Sequence, residues 1–467
     1  MKNLIKKLIL FAIAFCFSTG LFAQIPKNLV KLQQDFVNLK FGMFIHYNIP
    51  TYMEDDWADP DASPELFNPT NIAYEQWADA AIDAKMTYGA LTTKHHSGFC
   101  IWKTTTTDYS VSNSPYNKDV VKEFTDTFRK KGLKVMLYYS ILDTHHEIRP
   151  GMITQEKIQM IKNQLTELMT NYGKIDAMII DGWDAPWSRI SYEDVPFEEI
   201  YRLIKSIQPN CLVMDLNAAK YPSEALFYTD IKSYEQNAGQ HIKKNDNILP
   251  ALSCYPLQQN WFWKPSFPTQ DVKSPERLVA ENLIPLNNAN CNFILNVAPN
   301  REGKIDENAL NGLRKIGNLW KDQGQDSRLS SDYPHPIISE NIAKYKPTSS
   351  SWSNDMNIMD FANDDDFGTA WLSNKAIKTP WWSVDLLEEK AVNMITLVQD
   401  DQNRIKFRVE YLANNKWQNL LSDTQEDKVK VYRFPNVYAE KIKITFKEYN
   451  NPPALYEVGV YNERKID

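Results

Sequence analysis

The chain of 467 residues is too long for a single hydrophobic core and must divide into at least two domains. A hydrophobic content of 43% with 12% aromatic residues excludes a disordered chain. A net charge of -7, from 52 basic and 59 acidic side chains without a basic block, argues against nucleic acid or an anionic membrane as partner.

At the N-terminus Lys2, Lys6 and Lys7 precede an apolar run, Leu8 to Phe22, that is short for a membrane span, and Leu21-Phe22-Ala23 leads into polar Gln24. Residues 1–23 read as a secretory signal peptide cleaved after Ala23, which predicts a bacterial periplasmic or secreted protein. Phe15 stands before Cys16 where a lipoprotein signal needs a small residue. The other four cysteines, Cys100, Cys211, Cys254 and Cys291, lack metal-ligand pairing, and three lie in or beside apolar strands, so buried free thiols are expected.

From residue 24 to 330 strand-like and helix-like segments alternate. Phe41 to Ile45 is an apolar strand ending at His46, Asn71 to Met86 has helical periodicity, and Tyr88 to Thr92 is a strand ending at Lys94-His95-His96. Val120 to Lys131 is a helix closed by Gly132, Lys134 to Tyr138 the next strand, and Gln155 to Tyr172 a helix stopped by Gly173. Ile175 to Ile180, Cys211 to Leu216, Ala225 to Tyr228 and Cys291 to Val297 supply further strands. Repeated βα units predict an α/β fold, a (β/α)8 TIM-like barrel.

Active sites of such barrels gather at the C-terminal ends of the strands. There the sequence places His46, His95, His96, Tyr139, Asp181, Asp215, Asn217 and the pair Tyr234-Glu235. The run Ala177 to Ile180 stops at Asp181, Gly182 permits a tight turn, and Trp183 can shield the site from water. Asp181 is therefore the candidate nucleophile, with an Asp that merely caps the next loop as the alternative. His46, His95 and His96 suit a metal, but His95 and His96 point to opposite faces unless the strand has ended. Hydrogen bonding to sugar hydroxyls uses the same residues and needs no metal. Two carboxylates in an aromatic-lined pocket suggest glycoside hydrolysis, which in a retaining enzyme sets a nucleophile and an acid ~5–5.5 Å apart.

The runs Lys40 to His46, Thr93 to Trp102, Leu137-Tyr138-Tyr139-Ser140 and Ile180-Asp181-Gly182, followed by Trp261-Phe262-Trp263 and Leu295 to Gly303, resemble the α-L-fucosidases of glycoside hydrolase family 29 over residues 30 to 320. The resemblance implies that His46, His95 and His96 hydrogen-bond fucose, that Tyr139 lines the pocket, and that Asp181 is the nucleophile. Trp263 would join an aromatic wall against the sugar's methyl face. Asp56-Trp57 stands where the family has a Glu-Trp pair that touches fucose. No metal or other catalytic cofactor is implied; the implied partner is a fucosylated oligosaccharide or glycoconjugate, with no membrane insertion. Two departures stand out: Ser97 replaces an Asp, and Leu252 occupies the place of the acid/base Glu of one large branch. Glu235 is the substitute candidate for acid/base, with an exposed loop Glu as the alternative.

Residues 331–346 read as a polar, proline-containing linker. From 347 to 467 short alternating strands, among them Val392 to Val398, Lys406 to Leu412, Lys428 to Phe434 and Lys441 to Phe446, predict an antiparallel β-sandwich. Phe361 to Trp371, Trp381 to Leu386 and Tyr456-Glu457-Val458 resemble discoidin-like (coagulation factor type C) carbohydrate-binding modules. That resemblance implies a structural calcium at Asp364 to Asp366, the alternative being an acidic solvated turn. The expectation for the whole chain is a retaining exo-acting α-L-fucosidase. Its alternatives are a non-catalytic fucose- or galactose-binding protein on a decayed barrel, motivated by Leu252, and a galactosidase on the same barrel.

Overall fold

The computed structural model describes residues 28–464 apart from 246, 323, 325–328 and 331–334, so the expected signal peptide and part of the expected linker lie outside the described residues. Eight strands, β1 (Phe41–Ile45), β2 (Tyr88–Lys94), β3 (Lys134–Ser140), β4 (Ala177–Asp181), β5 (Leu212–Asp215), β6 (Lys232–Glu235), β7 (Ala251–Pro256) and β8 (Cys291–Asn296), form one sheet in the order β5-β4-β3-β2-β1-β8-β7-β6. Neighbouring strands in this order pair in parallel. Helices Tyr74–Asp83, Val120–Lys130, Gln155–Asn171, Phe197–Ile207 and Glu307–Leu319 alternate with the strands. This is the expected (β/α) barrel, and its strands are apolar on both faces because both are covered.

One face of the strands fills the barrel interior with Phe44, Tyr88, Met136, Tyr138, Ile179, Met214, Leu252 and Ile294. The other packs under the helices with Phe41, Leu91, Leu137, Tyr139 and Ile180. The helix Leu29–Val37 adds Leu29, Phe36 and Val37 to the interior core, and Asn292 Nδ2, near the start of β8, donates to Phe36 O at 2.9 Å. It thereby plugs the N-terminal end of the barrel and leaves the opposite end for chemistry.

No strand ladder joins β5 to β6. That seam is closed by Asp230, whose N–H donates to Val213 O at 2.8 Å while its Oδ2 accepts from Val213 N at 2.8 Å. Lys205 Nζ at 2.7 Å and Tyr201 OH at 2.7 Å complete a fully buried polar knot around the Asp230 carboxylate. The predicted strand Ala225 to Tyr228 is absent. Tyr228 takes a positive φ of 54°, which interrupts an extended run, and the sixth barrel strand is Lys232–Glu235 instead.

The C-terminal part contains β9 (Thr348–Ser350), β10 (Trp371–Leu372), β11 (Trp381–Gln399), β12 (Ile405–Ala413), β13 (Lys416–Gln425), β14 (Val429–Tyr449) and β15 (Ala454–Tyr461). They form the predicted antiparallel sandwich, ordered β10-β15-β11-β14-β12-β13 with β9 on β11, around Trp371, Trp382, Phe407, Ile444, Phe446 and Leu455. The predicted strands Lys428 to Phe434 and Lys441 to Phe446 are two halves of β14. Register shifts at Asp385/Lys390 and Val392/Met394 bend the β11–β14 pair between layers, so one long strand serves where two short ones are read.

The described end of the expected linker is packed. Ile337 is buried, donates to Leu226 O at 2.8 Å and accepts from Tyr228 N at 2.8 Å. Phe367 of the sandwich sets its ring 5.5 Å from Tyr221 and 6.0 Å from Phe227 of the barrel. Cys100, Cys211, Cys254 and Cys291 are buried free thiols.

Candidate active site

Asp181 ends β4 at the open end of the barrel and is only 5% exposed. Its Oδ1 accepts from the Gly182 N–H at 2.7 Å and from Asn217 Nδ2 at 3.0 Å; its Oδ2 accepts from Tyr138 OH at 2.7 Å. Gly182 has φ +99°, and a Cβ there would lie 2.8 Å from Leu142 N, so only glycine brings its N–H to Oδ1. Burial, and then the Asp181 charge, push the Tyr138 phenol well above its ordinary value and keep it a donor. Asn217 is set in turn by Asp215, whose Oδ1 accepts from Asn217 N at 2.9 Å and whose Oδ2 accepts from Tyr192 OH. Burial lifts the Asp215 carboxyl to about 7.

The three histidines converge because β2 ends at Lys94. His95 and His96 follow the strand rather than alternate within it, and their rings lie 3.9 Å apart, with His46 5.9 Å from His95. Gly98, at φ +90°, turns the chain back where a Cβ would lie 2.1 Å from Asp143. Behind the turn Lys94 Nζ meets Asp143 Oδ2 at 3.1 Å and Tyr139 OH at 3.0 Å, a buried pair that anchors the strand end. Burial drives all three imidazoles to the neutral form, His46 down to about 3, His96 to about 4 and His95 well below its usual value.

Neutral rings have a definite tautomer, and the neighbouring groups assign two of them. Asn296 gives its N–H to Trp261 O at 2.7 Å, so its oxygen accepts from His46 Nδ1 at 2.7 Å. Ser140 gives its hydroxyl proton to Leu142 O at 2.7 Å, so it accepts from His96 Nδ1 at 2.8 Å. Both Nε2 atoms then carry lone pairs, and that of His96 stands 3.8 Å from Asp181 Oδ2 as a neutral contact, not an ion pair. His95 Nδ1 is buried without a partner. The cluster thus presents the Nε2 lone pairs of His46 and His96 as acceptors, as hydroxyl groups require.

Glu235 ends β6 on the other side of the seam, partly buried. Burial, and next the charge of Asp181, raise its carboxyl to about 7, partly offset by a hydrogen bond from Trp261. Trp261 and Phe262 lie with ring centres 5.0 and 5.2 Å from His46, and Phe262 lies 4.9 Å from His95. Asp56 fixes this segment: its oxygens accept from Trp261 N at 3.1 Å and Phe262 N at 3.3 Å, and Lys264 Nζ is 2.9 Å away. Asp56 thus engages the chain that carries the aromatic wall.

Three predicted site residues lie elsewhere. Tyr139 points to the helical layer, donating to Gln164 Oε1 at 2.6 Å, because side chains alternate along β3 and Tyr138 takes the inward position. Trp183 is fully buried against Phe197 at 4.8 Å, with its indole N–H on Val195 O at 2.9 Å. Trp263 is held by Asp306 Oδ2 at 2.7 Å under the Arg301 guanidinium, and the partly exposed Trp261 stands beside His46 in its place, while Phe262 is fully buried. Trp57 does reach the site, stacking 4.6 Å from His96, and is joined there by Trp187 at 4.4 Å. Trp187 went unread because the sequence offers only its wide exposure as a loop aromatic, and exposure is a property of the fold. Asn296 was within reach at the end of β8; Tyr138 was not, because β3 is buried on both faces and alternation alone does not say which of Tyr138 and Tyr139 points inward.

Among the described residues no group of three or more His, Cys, Asp or Glu side chains is arranged to hold a metal ion. At the Asp364–Asp366 turn, where calcium is expected, the buried Glu457 carboxyl faces Asp365 and Asp364, and the turn's carboxylates already hold donors of the chain. Asp364 accepts from Thr369 Oγ1 and Asp366 N, Asp366 accepts from Gly368 N, and Lys344 pairs with Asp365 at 2.9 Å, so the oxygens are directed into the turn itself and to an ammonium.

The geometry agrees with what the chain is similar to. Residues 345–458 match the family model of the F5/8 type C domain. Alpha-L-fucosidase 1 of Arabidopsis thaliana is 25% identical over 461 residues, 91% of this chain and 85% of that protein. Among solved structures, alpha-L-fucosidase isoenzyme 1 from Paenibacillus thiaminolyticus has a TM-score of 0.55 at 24% identity, covering 90% of this chain and 100% of that one. A glycoside hydrolase 29 family member from an unknown rumen bacterium has a TM-score of 0.52 at 23% identity, covering 96% and 79%. Residues 23–325, the whole barrel with its Asp181 cluster, match the alpha-L-fucosidase family model, and the chain belongs to that family of glycoside hydrolases.

Proposed function

We propose that the protein removes terminal α-linked L-fucose from oligosaccharides or glycoconjugates with retention of configuration, through a covalent fucosyl ester on Asp181. The observation that carries this reading is that two carboxyls, Asp181 at the end of β4 and Glu235 at the end of β6, stand at the open end of the barrel, with burial and then the Asp181 charge raising the Glu235 carboxyl to about 7. In the first step an Asp181 oxygen attacks the anomeric carbon, the bond to the leaving oxygen breaks with its electron pair, and the Glu235 proton passes to that oxygen. In the second, Glu235 as carboxylate takes a proton from water, whose oxygen displaces Asp181 from the anomeric carbon and restores both groups. Oδ2 is the better nucleophile because it has one firm donor where Oδ1 has two.

The lone pairs of His46 and His96 Nε2 meet the sugar hydroxyls. A sugar lacking the matching hydroxyl leaves a buried polar atom unpaired, which is costly and so selective. Trp261, partly exposed beside His46, provides the apolar wall for the methyl group, which favours fucose over galactose. Leu252 is 1% exposed inside the barrel, so an acid supplied by β6 instead of β7 supports a working glycosidase over a decayed one. The basic-apolar start of the chain supports export to the periplasm or beyond.

The test is hydrolysis of an aryl α-L-fucoside. Wild type should release the phenol, and Asp181→Ala should lose turnover by several orders of magnitude and regain it in azide as the fucosyl azide of inverted configuration. Near-normal turnover in Asp181→Ala, or no turnover of any fucoside by wild type, defeats the proposal.

A further inference from the structure

Beside the catalytic cluster, between the ends of β6 and β7 and the helical segment after β7, lies a cavity of about 470 Å³. Gln236, the residue after Glu235, forms one wall, and Tyr255, near the end of β7, forms another. Lys244, Lys273 and Arg277 line it against one carboxylate, Glu281, in a chain of net charge -7. Arg277 already engages Glu281 at 2.9 and 3.0 Å. Lys244 Nζ donates to Glu281 O at 2.7 Å, and Lys273 Nζ donates to Pro256 O at 2.7 Å and to Gln258 O while lying 4.4 Å from the centre of the Tyr255 ring. Among the described residues both ammonium groups hydrogen-bond to neutral carbonyls, and the Glu281 carboxylate, which also feels the Lys244 charge, is already paired with Arg277. Burial draws Lys273 down to about 8, as befits a cation short of negative charge.

A concave site with an excess of one sign of charge, here three cations against one carboxylate, concentrates the opposite sign. In the proposed reaction Glu235 gives its proton to the leaving oxygen, so the departing glycan lies on the side of Glu235, and Gln236 continues that rim toward the cavity. We propose that this cavity binds an anionic substituent, a sulfate ester or a carboxylate, of the glycan to which fucose is attached. The inference rests on the fucosidase reading for the origin of the ligand.

Three fucosylated oligosaccharides that differ only in the neighbouring sugar, neutral, sulfated or sialylated, test it at low salt. Wild type should show kcat/KM about tenfold higher for an anionic member, the size of one charge-assisted contact, and should lose the preference at high salt. The sulfated and sialylated arms separate the two sources of charge. Lys244→Gln, at an exposed position, and Lys273→Gln should abolish the preference while turnover of an uncharged aryl fucoside stays at the wild-type level. Equal kcat/KM on all three substrates, or a preference that survives in Lys244→Gln and in the double variant, overturns the inference. Should no fucoside be hydrolysed, the fucosidase reading fails by itself, and calorimetric titration with the sulfated oligosaccharide then decides. Binding that Lys244→Gln weakens sustains the anion site; no binding ends it.

Discussion

Tyr138 and Tyr139 are chain neighbours with opposite duties: one donates to Asp181, the other to Gln164 of the helix Gln155–Asn171. Tyr138→Phe should lower kcat on an aryl fucoside by about tenfold to a hundredfold with little change in Tm, since an Asp181 donor is lost, worth ~1–3 kcal/mol. Tyr139→Phe should lower Tm and leave the kinetics of the folded protein unchanged; the reverse pattern would exchange the two roles. Glu235 controls the alkaline limb. Because its pKa is raised to about 7, the acid form falls away as pH rises through that value, and kcat/KM for a fucosyl disaccharide should fall with it. Asp215 is also lifted to about 7, so Asp215→Asn must retain the limb; its disappearance there would remove the assignment to Glu235. The strand-end position of Asp181 and the gathering of His46, His95 and His96 were legible, because an apolar run ending in a polar residue marks a strand end. Which of two adjacent tyrosines faces inward was not, since β3 is apolar on both faces and its parity is visible only from pairing, where Ser140 sits opposite Asp181.

At the level of elements, the barrel depends on a side chain where β5 and β6 fail to pair. Asp230→Ala strands the buried Lys205 ammonium and should cost ~3–5 kcal/mol, read as a large fall in Tm or in the denaturant midpoint. A change below ~1 kcal/mol would mean that the knot does not hold the seam. The same region shows why the sequence misled: Ala225 to Tyr228 is as apolar and aromatic as a strand, but it turns at Tyr228 and packs against Ile337 and Phe367, partners more than a hundred residues away. Local composition carries no mark of such distant packing. β14 was split in reading for the related reason that its middle, Pro435 to Glu440, is polar and exposed in part, while backbone pairing carries it through to β11.

For the whole molecule, the sandwich does more than hang from the barrel. Phe367 presses on Tyr221, Tyr221 lies beside Tyr192, and Tyr192 holds the Asp215 that fixes Asn217 against the nucleophile. Phe367→Ala should therefore reduce kcat while KM for the aryl fucoside moves little, because the defect is in holding Asp181 and not in gripping sugar. A change confined to Tm would reduce the contact to plain packing. The seam, finally, sets how the molecule breathes. A ring with strand ladders at seven of its eight joins opens first at the eighth, so backbone amides of β5 and β6 should take up deuterium before those of β2 and β3. Asp181 and Asn217 stand on one side of that join and Glu235 on the other, so a sugar touching both bridges the gap. Exchange at the seam should slow when fucose binds, which makes occupancy of the site and closure of the ring a single equilibrium.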